Sequence, residues 1–334
     1  MPRNRMFILA TRPSREQSAG PHNFRLMEAE AEAPGEGEVL VRNHYLSLDP
    51  YMRGRMNDAP SYASPQALAE VMTGRTVGEV VATRNARYGL GDMVAGNGGW
   101  QLYYRTDGRD LRKISSKGVA PRAHLGVLGM PGVTAWHGVN AILAPKPGET
   151  LVVSAATGAV GAVAGQLAKF AGARVVGIAG GVDKCGFARE ELGFDACVDH
   201  RSPEFGEELK AACPKGVDCL FENVGAEPFV QSLRRLNVFA RVALCGLVAS
   251  GYDGTPTALP DMRVVLEKRL KIQGFIISDH MESWPRALAG LGEHVKAGRL
   301  KWRETIAEGL DAAPAAFFAM LKGGNFGKQL VKLV

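Results

Sequence analysis

Hydrophobic and polar positions follow two different patterns along the 334-residue chain. Up to about residue 125, short β-like runs such as Glu38–Arg42 and Gly78–Ala82 are separated by Gly and Pro turns. From about residue 130, apolar runs alternate with helical stretches, as in Leu151–Val153, Ala159–Phe170 and Arg174–Ile178. Because parallel strands are buried on both faces and need helical crossovers, this alternation predicts βαβ units.

Four further apolar runs continue this alternation and predict a doubly wound parallel sheet. They are Ala196–Val198, Cys219–Phe221, Arg241–Cys245 and Lys271–Ile277. After about residue 290 the alternation ends, and an amphipathic helix near Ala312–Leu321 and a closing strand Lys328–Leu333 predict a return to the first domain. The sequence therefore predicts an α/β protein with a β-rich domain, residues 1–128 and 295–334, and a parallel-sheet domain, residues 129–294.

Composition narrows the class of protein. The chain is 46% hydrophobic and 22% charged, with a net charge of +6 and its basic residues scattered among acidic ones. No apolar run approaches the roughly 18 residues of a membrane span. A disordered chain, a membrane protein and a nucleic-acid-binding protein are therefore disfavoured. The five cysteines include no C-x-x-C pair, which argues against structural zinc or a disulfide framework. With only a short apolar run at the start, we expect a cytoplasmic protein.

The most informative local segment is Leu151–Gly161, in which a buried strand passes through a turn of small residues into an Ala-rich helix. Aligned to the dinucleotide-binding pattern G-x-G-x-x-G, its positions are Ala156, Gly158 and Gly161. A side chain at Gly158 would hold the backbone away from a pyrophosphate, and one at Gly161 would push the helix off the sheet. Phosphates would lie at the helix N-terminus, so the segment predicts dinucleotide binding.

The tip of the second strand indicates which dinucleotide is bound. An NAD site would carry an acidic side chain near this tip, but the chain has Gly180 and Gly181 there. The absence of a carboxylate leaves room for a 2′-phosphate, with which Lys184 can pair. Two alternatives stay open, since Asp183 could still reach a ribose hydroxyl and Lys184 could be a solvated helix-start charge. The prediction is NADP(H).

The reaction must be one that needs no metal. The first half contains no cysteine and few histidines, so the ligand set of a zinc alcohol dehydrogenase is missing. A Tyr-x-x-x-Lys pair of the short-chain dehydrogenase kind is also missing after the glycine turn. What remains is hydride chemistry assisted by hydrogen bonds.

Several spaced motifs resemble one family across essentially the whole chain. They are Ser47–Met56, Gly129–Ala135, Ala156–Gly161, Glu222–Gly225 and Gly324–Lys328. Together they resemble the zinc-free medium-chain dehydrogenases/reductases that include prostaglandin/leukotriene reductases, alkenal double-bond reductases and bacterial curcumin reductases. The resemblance implies a GroES-like β domain, a Rossmann domain, a homodimer, and NADPH-dependent reduction of the C=C bond of α,β-unsaturated aldehydes and ketones.

The resemblance also implies site residues along the nucleotide-binding half. The pyrophosphate contacts fall on the turn that contains Thr157, Gly158, Ala159, Val160 and Gly161, and the 2′-phosphate falls on Lys184 beside Gly180, with His200 or Arg201 as further partners. Asn223 and Asn325 resemble the residues that hold the ribose and nicotinamide, although each could instead serve its own turn. Further expected neighbours of the cofactor are Met130 and Thr134, in a turn over Met130–Thr134, together with Cys245, Gly246, Phe275 and Ile277.

The proton donor is left open. The double-bond reductases carry a Tyr after the Phe275 strand, where this chain has Ser278–Met281. Candidates are Tyr51, Tyr252, a coenzyme ribose hydroxyl and water, with Tyr51 first. Tyr51 could instead be a packing anchor, and Tyr252 could serve as a lid. Two other functions stay open, an NADPH quinone reductase and a non-catalytic NADPH-binding redox sensor.

Overall fold

A computed structural model describes residues 2–115, 118–249 and 261–334. Contacts within the chain define two compact units. Unit 1 comprises Met1–Leu125, Glu304–Asn325 and Gln329–Val334, and unit 2 comprises Gly126–Arg303 and Phe326–Lys328. The C-terminal segment thus contributes mainly to unit 1.

The strands and helices, numbered along the chain, are as follows. The strands are β1 (Arg3–Leu9), β2 (Phe24–Glu30), β3 (Val39–Ser47), β4 (Thr76–Thr83), β5 (Met93–Gly96), β6 (Tyr103–Thr106), β7 (Arg112–Lys113), β8 (Thr150–Ser154), β9 (Arg174–Ala179), β10 (Ala196–Asp199), β11 (Val217–Glu222), β12 (Leu236–Leu244), β13 (Lys271–Gly274), β14 (Glu304–Glu308) and β15 (Lys328–Lys332). The helices are α1 (Tyr51–Arg55), α2 (Met130–His137), α3 (Gly161–Phe170), α4 (Val182–Glu190), α5 (Phe205–Ala212), α6 (Ala226–Arg235), α7 (Arg263–Glu267), α8 (Ser283–Lys296) and α9 (Ala313–Leu321).

Unit 1 is built on antiparallel strands. One sheet has the order β14-β15-β3-β4-β5-β7, with β6 also paired to β3, and β1 and β2 form a separate pair. The closing strand β15 pairs antiparallel with β3 in this sheet. Trp100 is fully buried, stacks on Phe24 with ring centroids 4.9 Å apart and meets Phe317 of α9 edge to face at 5.6 Å. These rings anchor α9 in the core of unit 1.

Unit 2 contains a six-stranded parallel sheet in the order β10-β9-β8-β11-β12-β13. Central strands such as Thr150–Ser154 are buried along their whole length, as strands covered on both faces require. The strand order reverses between β8 and β11, and ligands of such sheets bind outside the carboxyl ends at this reversal. The predicted Rossmann fold is confirmed.

Two segments differ from the prediction. The strand predicted over Lys271–Ile277 ends at Gly274, because Phe275 and Ile277 turn into the interior of unit 2 and are buried there. The segment Met130–Thr134, expected as a turn, is the start of α2, with a proline in the first helical turn, where its missing N–H costs nothing. None of the helices within the described residues is long and apolar enough to cross a membrane.

Candidate functional site

The turn between β8 and α3 has the geometry of a phosphate cradle. Ala155 adopts a positive φ of 48°, the amide of Ala156 donates to the carbonyl of Ile178 at 3.0 Å, and the amide of Gly158 donates to the carbonyl of Ala155 at 2.9 Å. The chain is thereby folded tightly on itself before α3 begins at Gly161. The amides of Ala162 and Ala164 donate back to the carbonyls of Gly158 and Val160 at 3.0 and 2.9 Å, so the donors that can face an anion are the other amides around the start of α3.

The two glycines of this turn serve different purposes. A Cβ on Gly161 would lie 2.3 Å from the carbonyl oxygen of Ala155, so the fold of the turn itself requires glycine. Because Ala155 directly follows β8, the same clash would also push the start of α3 away from this end of the sheet. A Cβ on Gly158 would lie 3.1 Å from the same oxygen, a tight but adjustable contact. Gly158 is therefore better explained by the approach of a ligand.

Thr157, Ala159 and Val160, which are also predicted to contact the pyrophosphate, belong to the same turn. Thr157 is buried, whereas Ala159 and Val160 are half-buried immediately before the helix. The turn thus keeps small or buried side chains from Ala155 to Gly161.

The tip of β9 brings together three of the predicted residues. A Cβ on Gly180 would lie 2.9 Å from Nε2 of His200 and 3.1 Å from Nε of Arg201, so these side chains fill the space that glycine leaves. Asp199, at the end of β10, accepts hydrogen bonds from the amides of Gly181 and Arg201 at 2.9 and 3.0 Å. Burial opposes ionisation of Asp199, but these two amides lower its pKa overall. The carboxylate therefore fixes this loop rather than facing a ribose.

Lys184, His200 and Arg201 form what we call the basic cluster. The pKa of Lys184 is lowered by burial and then by the charge of Arg201. The pKa of His200 is also lowered, first by burial, with Asp199 opposing the shift and Arg201 and Lys184 adding to it. Like charges thus repel one another across the cluster. A bound phosphate dianion would relieve this repulsion and pair with all three groups.

An aromatic ring from the C-terminal segment lies beside the basic cluster. The ring centroid of Phe326 is 6.0 Å from Nζ of Lys184 and 4.1 Å from Cζ of Arg303, and the ring of Phe187 meets it edge to face. Cations over an aromatic face are favourably placed. The sequence analysis missed Arg303, and the only signal for Phe326 was its place in the Gly324–Lys328 motif.

A second group of residues meets where the strand order reverses. Asn223 donates from Nδ2 to the carbonyl of Ser154 at 2.8 Å, and its amide donates to Oγ of Ser154 at 2.8 Å. Ser154 Oγ in turn donates to Oε1 of Glu222 at 2.8 Å. Asn223 is thus held at the carboxyl end of β11, at the position where the ribose and nicotinamide are expected.

Glu222 organises this region, although the sequence analysis assigned it no role. Its Oε1 accepts from the amides of Val224 and Gly225 at 2.6 and 2.8 Å, and its carbonyl accepts from the amides of Cys245 and Gly246. It is completely buried, and Oε2 has no hydrogen-bond partner in the described part of the chain. Burial raises the pKa of Glu222 despite these donors.

Cys245 lies beside this carboxyl group. Burial, followed by the charge of Glu222, raises the pKa of the Cys245 thiol to about 12. It is therefore a neutral thiol at the end of β12 and not a nucleophile at physiological pH.

The other predicted cofactor neighbours are engaged in packing or local hydrogen bonds. Oγ1 of Thr134 donates to the carbonyl of Met130 at 2.8 Å within α2. Ile277 is buried in a cluster that Met130 borders, and the ring of Phe275 lies 5.5 Å from that of His137. Asn325 is half-buried in unit 1, between α9 and β15.

Tyr51 begins α1 in unit 1 and packs against the core cluster that contains Met52 and Phe317. Its pKa is raised, first by burial and then by the charge of Asp49. Its hydroxyl therefore keeps its proton at physiological pH and can donate a hydrogen bond. Tyr252 lies outside the described residues.

No group of three or more His, Cys, Asp or Glu side chains suited to a metal ion occurs in residues 2–115, 118–249 and 261–334.

Comparisons with known proteins assign the chain to a family. Residues 5–114 match the model of the N-terminal domain of oxidoreductase, and residues 159–292 match the model named zinc-binding dehydrogenase. The chain is 49% identical over 338 residues to the NADPH-dependent curcumin reductase of Escherichia coli K12, covering 99% of this chain and 97% of that protein. It is 36% identical to the NADP⁺-dependent 2-alkenal reductase of Nicotiana tabacum, over 89% of this chain and 88% of the relative.

The solved structures agree with these relatives. CurA of Vibrio vulnificus in complex with NADPH is 44% identical, covers 99% of both chains and superposes with a TM-score of 0.93. The fold and the sequence relatives together define a pyridine-nucleotide oxidoreductase of two domains. The chain belongs to the medium-chain dehydrogenase/reductase family, in the branch that contains the curcumin and alkenal reductases.

Proposed function

We propose that this protein catalyses NADPH-dependent reduction of the C=C bond of α,β-unsaturated aldehydes and ketones. The observation that carries the proposal is the basic cluster around Gly180, which suits a 2′-phosphate, in a chain whose relatives are named for reducing curcumin and 2-alkenals. Curcumin and 2-alkenals share a C=C bond conjugated to a carbonyl group. That shared group defines the substrate class, within which the substrate size stays open.

The residues of unit 2 fit the cofactor. The amides at the start of α3 would hold the pyrophosphate, the basic cluster the 2′-phosphate, and Asn223 the ribose and nicotinamide end. When bound, NADPH supplies a hydride to the β-carbon of the substrate. The network of Ser154, Glu222 and Asn223 orients the backbone amides that follow β11 and the side-chain amide of Asn223.

We assign Tyr51 to the substrate carbonyl. Hydride addition to the β-carbon moves negative charge onto the carbonyl oxygen, and a donor aimed at that oxygen lowers the barrier. The raised pKa of Tyr51 keeps its hydroxyl protonated for this role. Phe at this position should keep the packing in the core of unit 1 and remove only the donor.

The reaction class is tested by following NADPH oxidation with three acceptors: an aliphatic 2-alkenal, curcumin and a simple quinone. We expect turnover of the alkenal or of curcumin, with a product saturated at the C=C bond. Preferential turnover of the quinone would favour a quinone reductase instead. Binding of NADPH without turnover of any acceptor would favour a redox sensor.

Tyr51→Phe should lower kcat by roughly 100-fold, the effect of removing one hydrogen-bond donor to a developing oxyanion, with the KM for NADPH unchanged. Tyr103→Phe, on β6, is the matched control and should retain full activity. An unchanged kcat in Tyr51→Phe would make Tyr51 a packing residue and leave the donor elsewhere.

We further propose that the protein is a homodimer that pairs through β13. This strand is at the edge of the parallel sheet, and Ile272 on it is 36% exposed, with Leu266 of α7 and Val238 of β12 also exposed. An edge strand leaves one row of its backbone groups without a strand partner in the sheet, and such a row is a template for pairing with another chain. A second copy joined edge to edge would cover both the backbone groups and the apolar side chains.

A further inference from the structure

Two of the five cysteines lie in direct contact near the basic cluster. Sγ of Cys197, on β10, is 3.3 Å from Sγ of Cys185, on α4. Both thiols are free, Cys185 is buried and Cys197 is half-buried. β10 is the edge strand of the parallel sheet, and Cys197 is the more exposed of the two thiols. The sequence has no C-x-x-C motif here and so gave no signal for this pair.

We propose that Cys185 and Cys197 form a reversible disulfide that weakens NADPH binding, with a hydroperoxide as the oxidant. In the first step the Cys185 thiolate attacks the peroxide oxygen, and the O–O bond breaks to give a sulfenic acid and water or an alcohol. In the second step the sulfur of Cys197 attacks the sulfenic sulfur, and water leaves. Two thiols lose two electrons and two protons, and the peroxide is reduced.

The surroundings of the pair favour Cys185 as the reactive thiol. The S–H of Cys197 donates to Cys185 and lowers its pKa, while burial and the charge of Asp199 oppose this shift and Arg189 adds to it. Burial raises the pKa of the Cys213 thiol to about 11 and that of Cys219 to about 12. Thiolates are the species that peroxides oxidise, so oxidation should select the Cys185–Cys197 pair.

The link to NADPH rests on the function proposed above and on the position of the pair. Lys184 immediately precedes Cys185, and Asp199, which holds the amides of Gly181 and Arg201, is two residues after Cys197. Closing the pair from 3.3 Å to a disulfide length of about 2.05 Å draws the first turn of α4 and the end of β10 together. This displacement acts on the two elements that carry the basic cluster.

The disulfide is tested directly on the full-length protein. The reduced protein is treated with hydrogen peroxide, alkylated with N-ethylmaleimide and digested with trypsin, which cleaves after Lys184, Arg189 and Arg201 and so separates the two cysteines. We expect the loss of two alkylatable thiols and a cross-linked pair of peptides, Cys185–Arg189 with Glu190–Arg201, that dithiothreitol separates. Two unmodified thiols, or a sulfinic acid without a cross-link, would overturn the proposal.

Single Ser variants test whether the cross-link joins this pair rather than other cysteines. Cys185→Ser and Cys197→Ser should each lose the cross-link, and the second keeps the test valid if the buried Cys185 does not tolerate substitution. Cys213→Ser is the matched control and should form the cross-link as the wild type does. A cross-link that persists in either of the first two variants would contradict the assignment.

The effect on the cofactor is tested by titrating NADPH and NADH into reduced and oxidised protein. We expect oxidation to raise the Kd for NADPH at least fivefold, to leave that for NADH nearly unchanged, and to have no effect in Cys197→Ser. A cross-linked protein with the NADPH affinity of the reduced form would overturn the coupling. If the reduced protein does not bind NADPH more tightly than NADH, the proposed cofactor preference is wrong. The peptide cross-link tests the disulfide independently of that result.

Discussion

At the scale of single residues, charge decides which nucleotide suits this protein. The space above Gly180 is filled by the side chains of His200 and Arg201, and Lys184 interacts with them electrostatically from α4. A 2′-phosphate would add negative charge beside these three basic side chains, whereas a 2′-hydroxyl would not.

Lys184→Ala and Arg201→Ala should each weaken NADPH binding by about 10- to 150-fold, because each removes a charge-assisted contact of about 1.5–3 kcal/mol. NADH binding should change little. Both effects are measured as the Kd of each nucleotide, with Lys210→Ala on α5 as a control for a lost surface charge. Equal losses for NADPH and NADH would contradict the phosphate assignment.

The buried carboxyl of Glu222 leads to a prediction about folding stability. Most acidic residues stabilise the fold in their ionised form, whereas ionisation of Glu222 should destabilise it. Its pKa is raised above the usual 4.5 by burial, so ionising it in the folded protein costs free energy as the pH rises above about 4.5. Glu222→Gln keeps an oxygen for the amides of Val224 and Gly225 and removes this cost. The variant should therefore gain stability relative to the wild type between pH 5 and pH 8.

Glu149→Gln provides the control, because the hydrogen bonds from Arg241 hold the pKa of Glu149 below 4.5. Glu149 therefore stabilises the fold above pH 4.5, and this contribution is lost as the pH falls through its folded pKa. Urea unfolding at several pH values measures both. A loss of stability in Glu222→Gln that grows with pH would show that the carboxylate form stabilises the fold.

At the scale of elements, the turn between β8 and α3 combines two requirements that a sequence pattern does not separate. Gly161 is required by the backbone of the turn, whereas a Cβ at Gly158 meets only an adjustable contact. The same motif thus contains one glycine that the fold requires and one that we predict to serve binding.

Gly161→Ala should destabilise the protein by about 1–3 kcal/mol, since its Cβ would overlap the carbonyl of Ala155. Gly158→Ala should fold with nearly normal stability yet bind NADPH and NADH at least tenfold more weakly, since the pyrophosphate is common to both. Thermal unfolding and nucleotide titration of the two variants measure this contrast. Equal destabilisation by both would assign both glycines to the turn.

The sequence predicted the elements better than their contacts. The central strands of the parallel sheet and the helix α3 lie where the alternation of apolar runs placed them, because each is a local pattern. The length of β13 could not be read in this way, since Phe275 and Ile277 are as apolar as a strand residue and only the packing around α2 and α8 shows that they leave the sheet.

At the scale of the whole molecule, the edge strand β13 leads us to a prediction about assembly. Ile272→Lys should give monomers at concentrations where the wild type is dimeric, because a charge on an edge strand opposes pairing. Light scattering measures the mass. The matched control is Ile306→Lys, an equally exposed isoleucine on β14, the edge strand of the sheet in unit 1. Dimers in the Ile272 variant, or monomers only in the Ile306 variant, would assign the interface elsewhere.

The sequence by itself determined the parallel sheet and the strand–turn–helix segment at Gly161, and it predicted a phosphate site at Gly180, because each depends on residues close together in the chain. Only the tertiary structure decided that the ring of Phe326 lies beside both Lys184 and Arg303, that Glu222 holds the amides of Cys245 and Gly246, and that Cys185 touches Cys197. These contacts join different elements, so the packing of helices and strands around the sheet sets them.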